Sequence, residues 1–330
     1  MREILAQPSE CQRYIACALE NAPLLAIRRA RLPFAASGMT AGQSGARMRF
    51  SFIAHDNAMT PARLFLAATL CSLTLVAAPA HAAVERARTE TVDGHRLESL
   101  VIRNPSAKAT VVFENGSRAT IAGWDKVLDG IKDSATVFAY NRPGYANSEA
   151  VDTPRDGATI VEQLRATLKR KGLQPPYVLV GHSLGGLYMQ LFARRYPDEV
   201  KGLVLVDALY PRVVKRPQDF PLYTRAGKWL FFSRTVRDEI DRIHETGEMV
   251  AALPRIDDKP IIRLINKPVS STAIAVDFGA FNFDDDTRTF VRGLYPKAKT
   301  VVADASHQMQ VTHPEIVAAA IREILAAPAP

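Results

Sequence analysis

Two hydrophobic rhythms alternate along residues 88–326. Short apolar runs rich in β-favouring residues have the length of buried strands: Ala109–Glu114, Thr136–Tyr140, Tyr177–Val180, Gly202–Asp207, Ile261–Ile265 and Thr300–Ala303. Between them lie segments of helical character, at Ile121–Lys132, after the Tyr177 run through Tyr196, near Asp285–Leu294, and from Pro314 to about Ala326. Another, marked by Ile160, Leu164 and Leu168, ends in Lys169-Arg170-Lys171 and Gly172, basic residues and then a glycine, as helix C-termini favour. Upstream, Arg88–Val92 and Arg96–Ile102 flank Asp93-Gly94, a hairpin turn between two strands. Strands alternating with helices predict an α/β chain: a doubly wound, mostly parallel sheet of eight-stranded type with helices on both faces.

Residues 211–257 break the alternation. They are rich in proline, arginine and aromatics (Phe220, Tyr223, Trp229, Phe231, Phe232). One amphipathic helix stands out in them, with Val236, Ile240 and Ile243 on one side and Arg237, Asp238, Asp241 and Arg242 on the other. The segment reads as a small helical cap inserted above the strand ends. Its aromatics suggest an apolar ligand, although packing within the cap would use the same residues.

The N-terminal region follows a different logic. Met59-Thr-Pro-Ala-Arg63 is a short basic start, Leu64–Ala78 an apolar run, and Ala80-His81-Ala82 a small-x-small cleavage signal. The run falls short of the roughly 20 residues that span a bilayer. Residues 59–82 are therefore expected to be a cleaved signal peptide, leaving residues 83–330 periplasmic or secreted and without a stable membrane anchor. Because such a leader must begin the chain, residues 1–58 are read as an over-extended gene model or a disordered extension, with translation starting at Met48 or Met59.

Charge changes the picture little. The chain carries 42 Lys+Arg against 34 Asp+Glu, a net +8. Residues 1–82 hold eight of the basic and four of the acidic residues, so residues 83–330 carry 34 against 30, a net +4. No basic stripe or nucleic-acid motif accompanies that excess, so a small-molecule substrate is expected and no nucleic acid. All three cysteines (Cys11, Cys17, Cys71) precede residue 83, which leaves no disulfide framework or thiol chemistry to the rest. No histidine motif with metal-ligand spacing and no glycine-rich phosphate loop occurs, so neither metal nor cofactor is expected.

The chemistry concentrates at Gly181-His182-Ser183-Leu184-Gly185, which follows the Tyr177–Val180 strand and opens a helix. G-x-S-x-G between strand and helix is a nucleophile elbow, in which a strained turn exposes the serine hydroxyl and small flanking residues let strand and helix approach. With Asn115-Gly116, Asn141-Arg142-Pro143-Gly144-Tyr145, and Ser306-His307 followed by His313-Pro314-Glu315, the chain resembles the α/β-hydrolase superfamily over essentially all of residues 88–326. That resemblance implies a serine nucleophile, Ser183, and a general base, His307. His182 adjoins Ser183 on a turn where neighbouring side chains diverge, and His313 precedes a helix-opening proline, so both are set below His307. For the acid, the strand Ile261–Ile265 runs into Asn266-Lys267-Pro268 without a carboxylate. Asp207, at the end of the preceding strand, occupies the place used by a branch of the haloalkane dehalogenases, with Asn266 as the substitute after the next strand. Asp277 and Asp284 are the alternatives. The oxyanion donors implied are the backbone N–H groups of Leu184 and Ser117. Asn115-Gly116-Ser117 is also a glycosylation sequon, discounted inside such a loop.

The activity expected is hydrolysis of an ester or related acyl bond in a small, fairly apolar molecule, through a Ser-His-Asp triad and an acyl-enzyme. A serine at 183 argues against dehalogenase or epoxide-hydrolase chemistry, which in this superfamily uses an aspartate there. Acyl transfer, C–C bond hydrolysis, peptide hydrolysis and non-catalytic ligand binding are the other functions the resemblance allows.

Overall fold

The computed structural model describes residues 86–266 and 285–328, which fall within one compact unit, Glu85–Pro330. Strands β1 (Arg88–Val92) and β2 (His95–Ile102) form the hairpin, one residue longer at its turn than expected. Strands β3 (Thr110–Glu114), β4 (Thr136–Tyr140), β5 (Tyr177–His182), β6 (Val200–Val206), β7 (Ile261–Asn266) and β8 (Lys299–Ala303) complete an eight-stranded sheet in the order β1-β2-β4-β3-β5-β6-β7-β8. From β4 to β8 every neighbouring pair is parallel, and β2 joins β4 antiparallel. Parallel strands need crossovers, and helices α1 (Asp125–Ile131), α2 (Gly157–Arg170) and α3 (Leu184–Arg195) supply three of them. The helix expected over Ile121–Lys132 divides into a 3-10 turn, Ile121–Trp124, and α1.

Both sheet faces are covered, so the central strands are buried along nearly their whole length rather than at alternate positions. In β5, Tyr177 and Leu179 join one core with Leu164 and Leu168 of α2 and Leu187 and Leu191 of α3. Val178 and Val180 join the other, with Val127 and Leu128 of α1 and Val317 and Ile321 of a C-terminal helix that runs Pro314–Ala326. β5 lies fourth from the β8 edge, in the middle of the sheet, and its C-terminal end is therefore held on all sides.

The cap holds three helices, α4 (Leu222–Phe231), α5 (Arg234–Asp241) and α6 (Ile243–Ala252). The single amphipathic helix expected there is broken at Arg242. Val236, Ile240 and Ile243 are buried in the same cluster as the α2–α3 core, so α5 and α6 are packed onto the body. The aromatics divide: Phe220 is buried, whereas Tyr223, Trp229 and Phe231 are exposed. After β7, α7 runs Asp285–Leu294, and a short α8 (Met309–Thr312) precedes the last helix, α9 (Pro314–Ala326). No described helix is long and apolar enough to cross a membrane. The proposed leader and Asp277 and Asp284 lie outside the described residues.

Candidate active site

Ser183 joins β5 to α3 with φ 51° and ψ −120°, a conformation that costs a non-glycine residue about 1–3 kcal/mol. Its surroundings hold it there. Ser183 N–H donates to the Val206 carbonyl at the end of β6 (3.1 Å), while the Ser183 carbonyl accepts from Gly186 N–H (3.0 Å) and Leu209 N–H (2.9 Å). The flanking glycines are steric requirements. A Cβ on Gly181 would stand 2.6 Å from the Gly185 carbonyl oxygen, and one on Gly185 would stand 2.3 Å from the Glu114 carbonyl oxygen. Gly185 thus brings α3 against the loop after β3. Leu184 opens α3, and first-turn N–H groups have no acceptor within the helix.

Three chain segments meet beside this turn. Asp207 follows β6 in a left-handed conformation (φ 40°), its N–H bonded to the Leu264 carbonyl of β7 at 2.8 Å. Its Oδ2 accepts from Asn266 Nδ2 (2.9 Å) and lies 2.7 Å from His307 Nδ1. A carboxylate only accepts, so His307 Nδ1 carries a proton and Nε2 is left as the base nitrogen when the ring is neutral. The Asp207 side chain is 11% exposed and that of His307 34%, so the histidine is the more open of the pair.

His182 has a different place from His307. Its ring is buried, 4.7 Å between centroids from that of His307, and its Nε2 donates to the His307 backbone carbonyl at 2.8 Å. Burial, reinforced by His307, pulls its pKa down to about 3, so it is neutral and serves to pin the main chain of His307. His182 Nδ1 and Ser117 Oγ are both buried without a hydrogen-bond partner among the described residues. His313 stands at the N-cap position of α9 without a side-chain capping bond, its Nδ1 3.0 Å from Thr312 Oγ1.

The loop Asn115-Gly116-Ser117 is gripped by a residue to which sequence reasoning assigned no role. Arg142 is 1% exposed, and its guanidinium makes five hydrogen bonds. Nη1 donates to Glu114 Oε1 (2.6 Å) and the Asn115 carbonyl (2.6 Å). Nη2 donates to the Gly116 carbonyl (3.2 Å) and Glu239 Oε2 (2.9 Å), and Nε to Glu239 Oε1 (3.0 Å). In a trans peptide the N–H points opposite to the C=O, so holding the Gly116 carbonyl aims Ser117 N–H away from Arg142. Glu239 lies on α5 of the cap and also bonds Arg155 and Tyr145 Oη. Burial raises the pKa of Glu239, but Arg142 and Arg155 outweigh it and hold the carboxyl below its ordinary value. Burial raises the pKa of the Glu114 carboxyl above its ordinary value, and the two acidic groups and two guanidiniums together tie the cap to the loop. The signals were present in the sequence: a glutamate ending the buried strand β3, and an arginine inside the Asn141–Tyr145 turn.

Asn115 is 2% exposed, its Nδ2 bonded to the Tyr140 carbonyl (2.7 Å) and its Oδ1 to Trp124 Nε1 (2.7 Å). The sequon is thereby committed to structure. Among the described residues no group of three or more His, Cys, Asp or Glu could hold a metal ion.

A family model described as alpha/beta hydrolase fold matches residues 109–257, a span that includes Ser117, Ser183 and Asp207 and ends before His307. The uncharacterized protein YbdG of Bacillus subtilis is 30% identical over 138 residues, 41% of this chain and 40% of that protein. The human (lyso)-N-acylphosphatidylethanolamine lipase is 31% identical over 122 residues, 35% of this chain and 32% of its own. The matches thus span less than half the length of these curated relatives. The solved structure of a haloalkane dehalogenase DbeA loop variant from Bradyrhizobium elkanii superposes with a TM-score of 0.55 at 14% identity, covering 73% of this chain and 97% of that one. Cfl2 from Burkholderia cenocepacia gives 0.54 at 18% identity, covering 73% and 95%. Over residues 109–257 the chain is thus similar to the alpha/beta hydrolase fold family, and it shares the fold of these solved structures.

Proposed function

We propose that the protein is a serine hydrolase that cleaves an ester or related acyl bond in a small, fairly apolar molecule. The observation that carries this reading is Ser183 held at positive φ on the elbow while His307, paired with Asp207, is pinned beside it through His182. Ser183 Oγ attacks the acyl carbon as its proton passes to His307 Nε2. Asp207 holds the tautomer and stabilises the imidazolium. The tetrahedral oxyanion is held by Leu184 N–H and Ser117 N–H, each donor contributing on the order of 3 kcal/mol. The imidazolium then protonates the departing alkoxide, leaving an acyl-serine. Water, deprotonated by His307, attacks that ester, and the carboxylate leaves as Ser183 regains its proton.

Serine at the elbow favours this chemistry over that of the dehalogenase whose fold the chain shares, and the partial similarity to a lipase supports an acyl substrate. A hydrolysis screen of p-nitrophenyl esters of increasing acyl length, run beside Ser183→Ala, tests the reading. It predicts turnover on at least one length that the variant lacks; no turnover on any acyl length, or equal turnover by the variant, contradicts it. The site would work outside the cytoplasm once residues 59–82 are removed. N-terminal sequencing of the native protein beginning at Ala83 would support that location, and a retained leader would oppose it.

A further inference from the structure

Helix α4 wears its amphipathicity inside out. Its buried positions are Thr224 and Lys228, one turn apart. Leu222 (78%), Tyr223 (57%), Trp229 (72%), Leu230 (67%) and Phe231 (72%) are exposed. At 100° per residue, Leu222, Tyr223, Ala226, Trp229 and Leu230 fall in one sector of about 120°, and Thr224 and Lys228 lie outside it. A surface helix ordinarily does the reverse. The polar side is what fastens this one. Lys228 pairs with Asp241 of α5, and Arg237 donates to the carbonyls of Phe232 (2.7 Å) and Trp229 (3.4 Å). The other exposed large hydrophobics of the described residues, Phe290, Val302 and Val311, lie on other elements. Four such residues on one side of a ten-residue helix, Leu222, Tyr223, Trp229 and Leu230, form a patch of the kind that marks an interaction surface.

We propose that α4 is an interfacial helix, which docks the protein reversibly on an anionic lipid bilayer through Leu222, Tyr223, Trp229 and Leu230. Tryptophan and tyrosine are suited to the headgroup boundary, and leucine to the acyl region beneath it. Residues 211–234 contain six Lys/Arg and one acidic residue, Asp219. Ion pairs of Arg212 with Glu248, Arg216 with Asp219, Lys228 with Asp241, and Arg234 with Asp238 take up four of the six. Exposed Arg225 still adjoins the stripe. The exposed Arg225 at the edge of the stripe complements lipid phosphates, whereas a second copy of the chain would bring two such charges together. Phe232, which ends α4, lies with its ring 5.5 Å from the guanidinium of Arg118, the residue after Ser117. Docking by α4 would therefore set the rim of the elbow's loop against the headgroup layer. The inference does not depend on acyl chemistry at Ser183.

The chain's two tryptophans make the test direct, because Trp124 is 1% exposed and Trp229 is 72% exposed. The full chain is mixed with phosphatidylcholine vesicles with and without phosphatidylglycerol, and Trp229→Phe isolates the Trp229 emission. Docking predicts that iodide quenches Trp229 in the free protein. On phosphatidylglycerol vesicles the emission should shift to the blue, resist iodide, and be quenched by acyl-brominated lipid. Leu222→Glu with Leu230→Glu should weaken vesicle affinity about tenfold or more. Cosedimentation without brominated-lipid quenching would place contact elsewhere, such as in the apolar run 64–78, and overturn the proposal. So would shielding of Trp229 from iodide before lipid is added, if Leu230→Glu converts a dimer to a monomer and removes it.

Discussion

Replacing Arg142 by lysine keeps the buried charge and removes the fork. The guanidinium spans five hydrogen bonds to Glu114, Glu239, and the carbonyls of Asn115 and Gly116. A lysine has three donors at a single point, so at least two of those five bonds are lost, although Glu239 keeps Arg155 and Tyr145 and the Gly116 carbonyl keeps Ala119 N–H. Each lost charge-assisted bond costs about 1.5–3 kcal/mol, a total of roughly 3–6 kcal/mol against stability. The functional effect has a separate origin. Once the Gly116 carbonyl keeps only its 3.3 Å bond from Ala119 N–H, the peptide that aims Ser117 N–H is less firmly held, which weakens one oxyanion donor. That predicts a fall in kcat on the order of 10²–10³ with little change in KM, since the donor acts on the transition state. Urea unfolding and steady-state kinetics on a p-nitrophenyl ester check the two halves. A variant that unfolds earlier yet keeps kcat within about threefold of wild type would refute the link between Arg142 and the loop.

Three further outcomes follow from the site. Asp207→Asn should cut kcat on the order of 10⁴-fold with the fold intact, because the amide no longer fixes the His307 tautomer; near-normal turnover would move the acid to Asp277 or Asp284. Gly185→Ala places a methyl 2.3 Å from the Glu114 carbonyl oxygen and 2.5 Å from that of Asn115. Because both contacts are backbone, it should lower Tm by several degrees and abolish most activity, and unchanged thermal unfolding would contradict that packing. His182 stays neutral in the folded protein down to about pH 3, whereas an unfolded histidine protonates near its ordinary value of 6.5. The unfolded chain thus binds one proton more between those values, so stability is full above pH 6.5 and declines as pH falls, by up to about 1.4 kcal/mol per pH unit. His182→Gln should flatten the slope between pH 6.5 and about 5 in chemical denaturation, and identical slopes would show that His182 is not the group responsible.

What the sequence disclosed was local. The strand–turn–helix around Ser183 needs only neighbours in the chain: four apolar residues, two glycines at fixed offsets, and an apolar helix. The alternation that announces a parallel sheet is equally short in range. The ion network is not, since Arg142 and Glu239 stand 97 residues apart and meet only when α5 folds back over the loop after β3. Nor does periodicity say which side of a helix faces the body. The aromatics of residues 220–232 were expected to line an apolar site or pack within the cap, and α4 instead turns Tyr223, Trp229 and Phe231 to solvent. His182 shows a third limit. Beside Ser183 in sequence it competes as a base, and only its 2.8 Å bond to the His307 carbonyl gives it another task.

The most direct test of the account is covalent. The purified full chain and Ser183→Ala, treated with a fluorophosphonate and analysed by intact mass and peptide mapping, should differ in one respect. The wild type should gain a single phosphonyl adduct on Ser183, and the variant none. A wild type that stays unlabelled, or an adduct that forms equally on the variant, would contradict the assignment of Ser183 as the nucleophile.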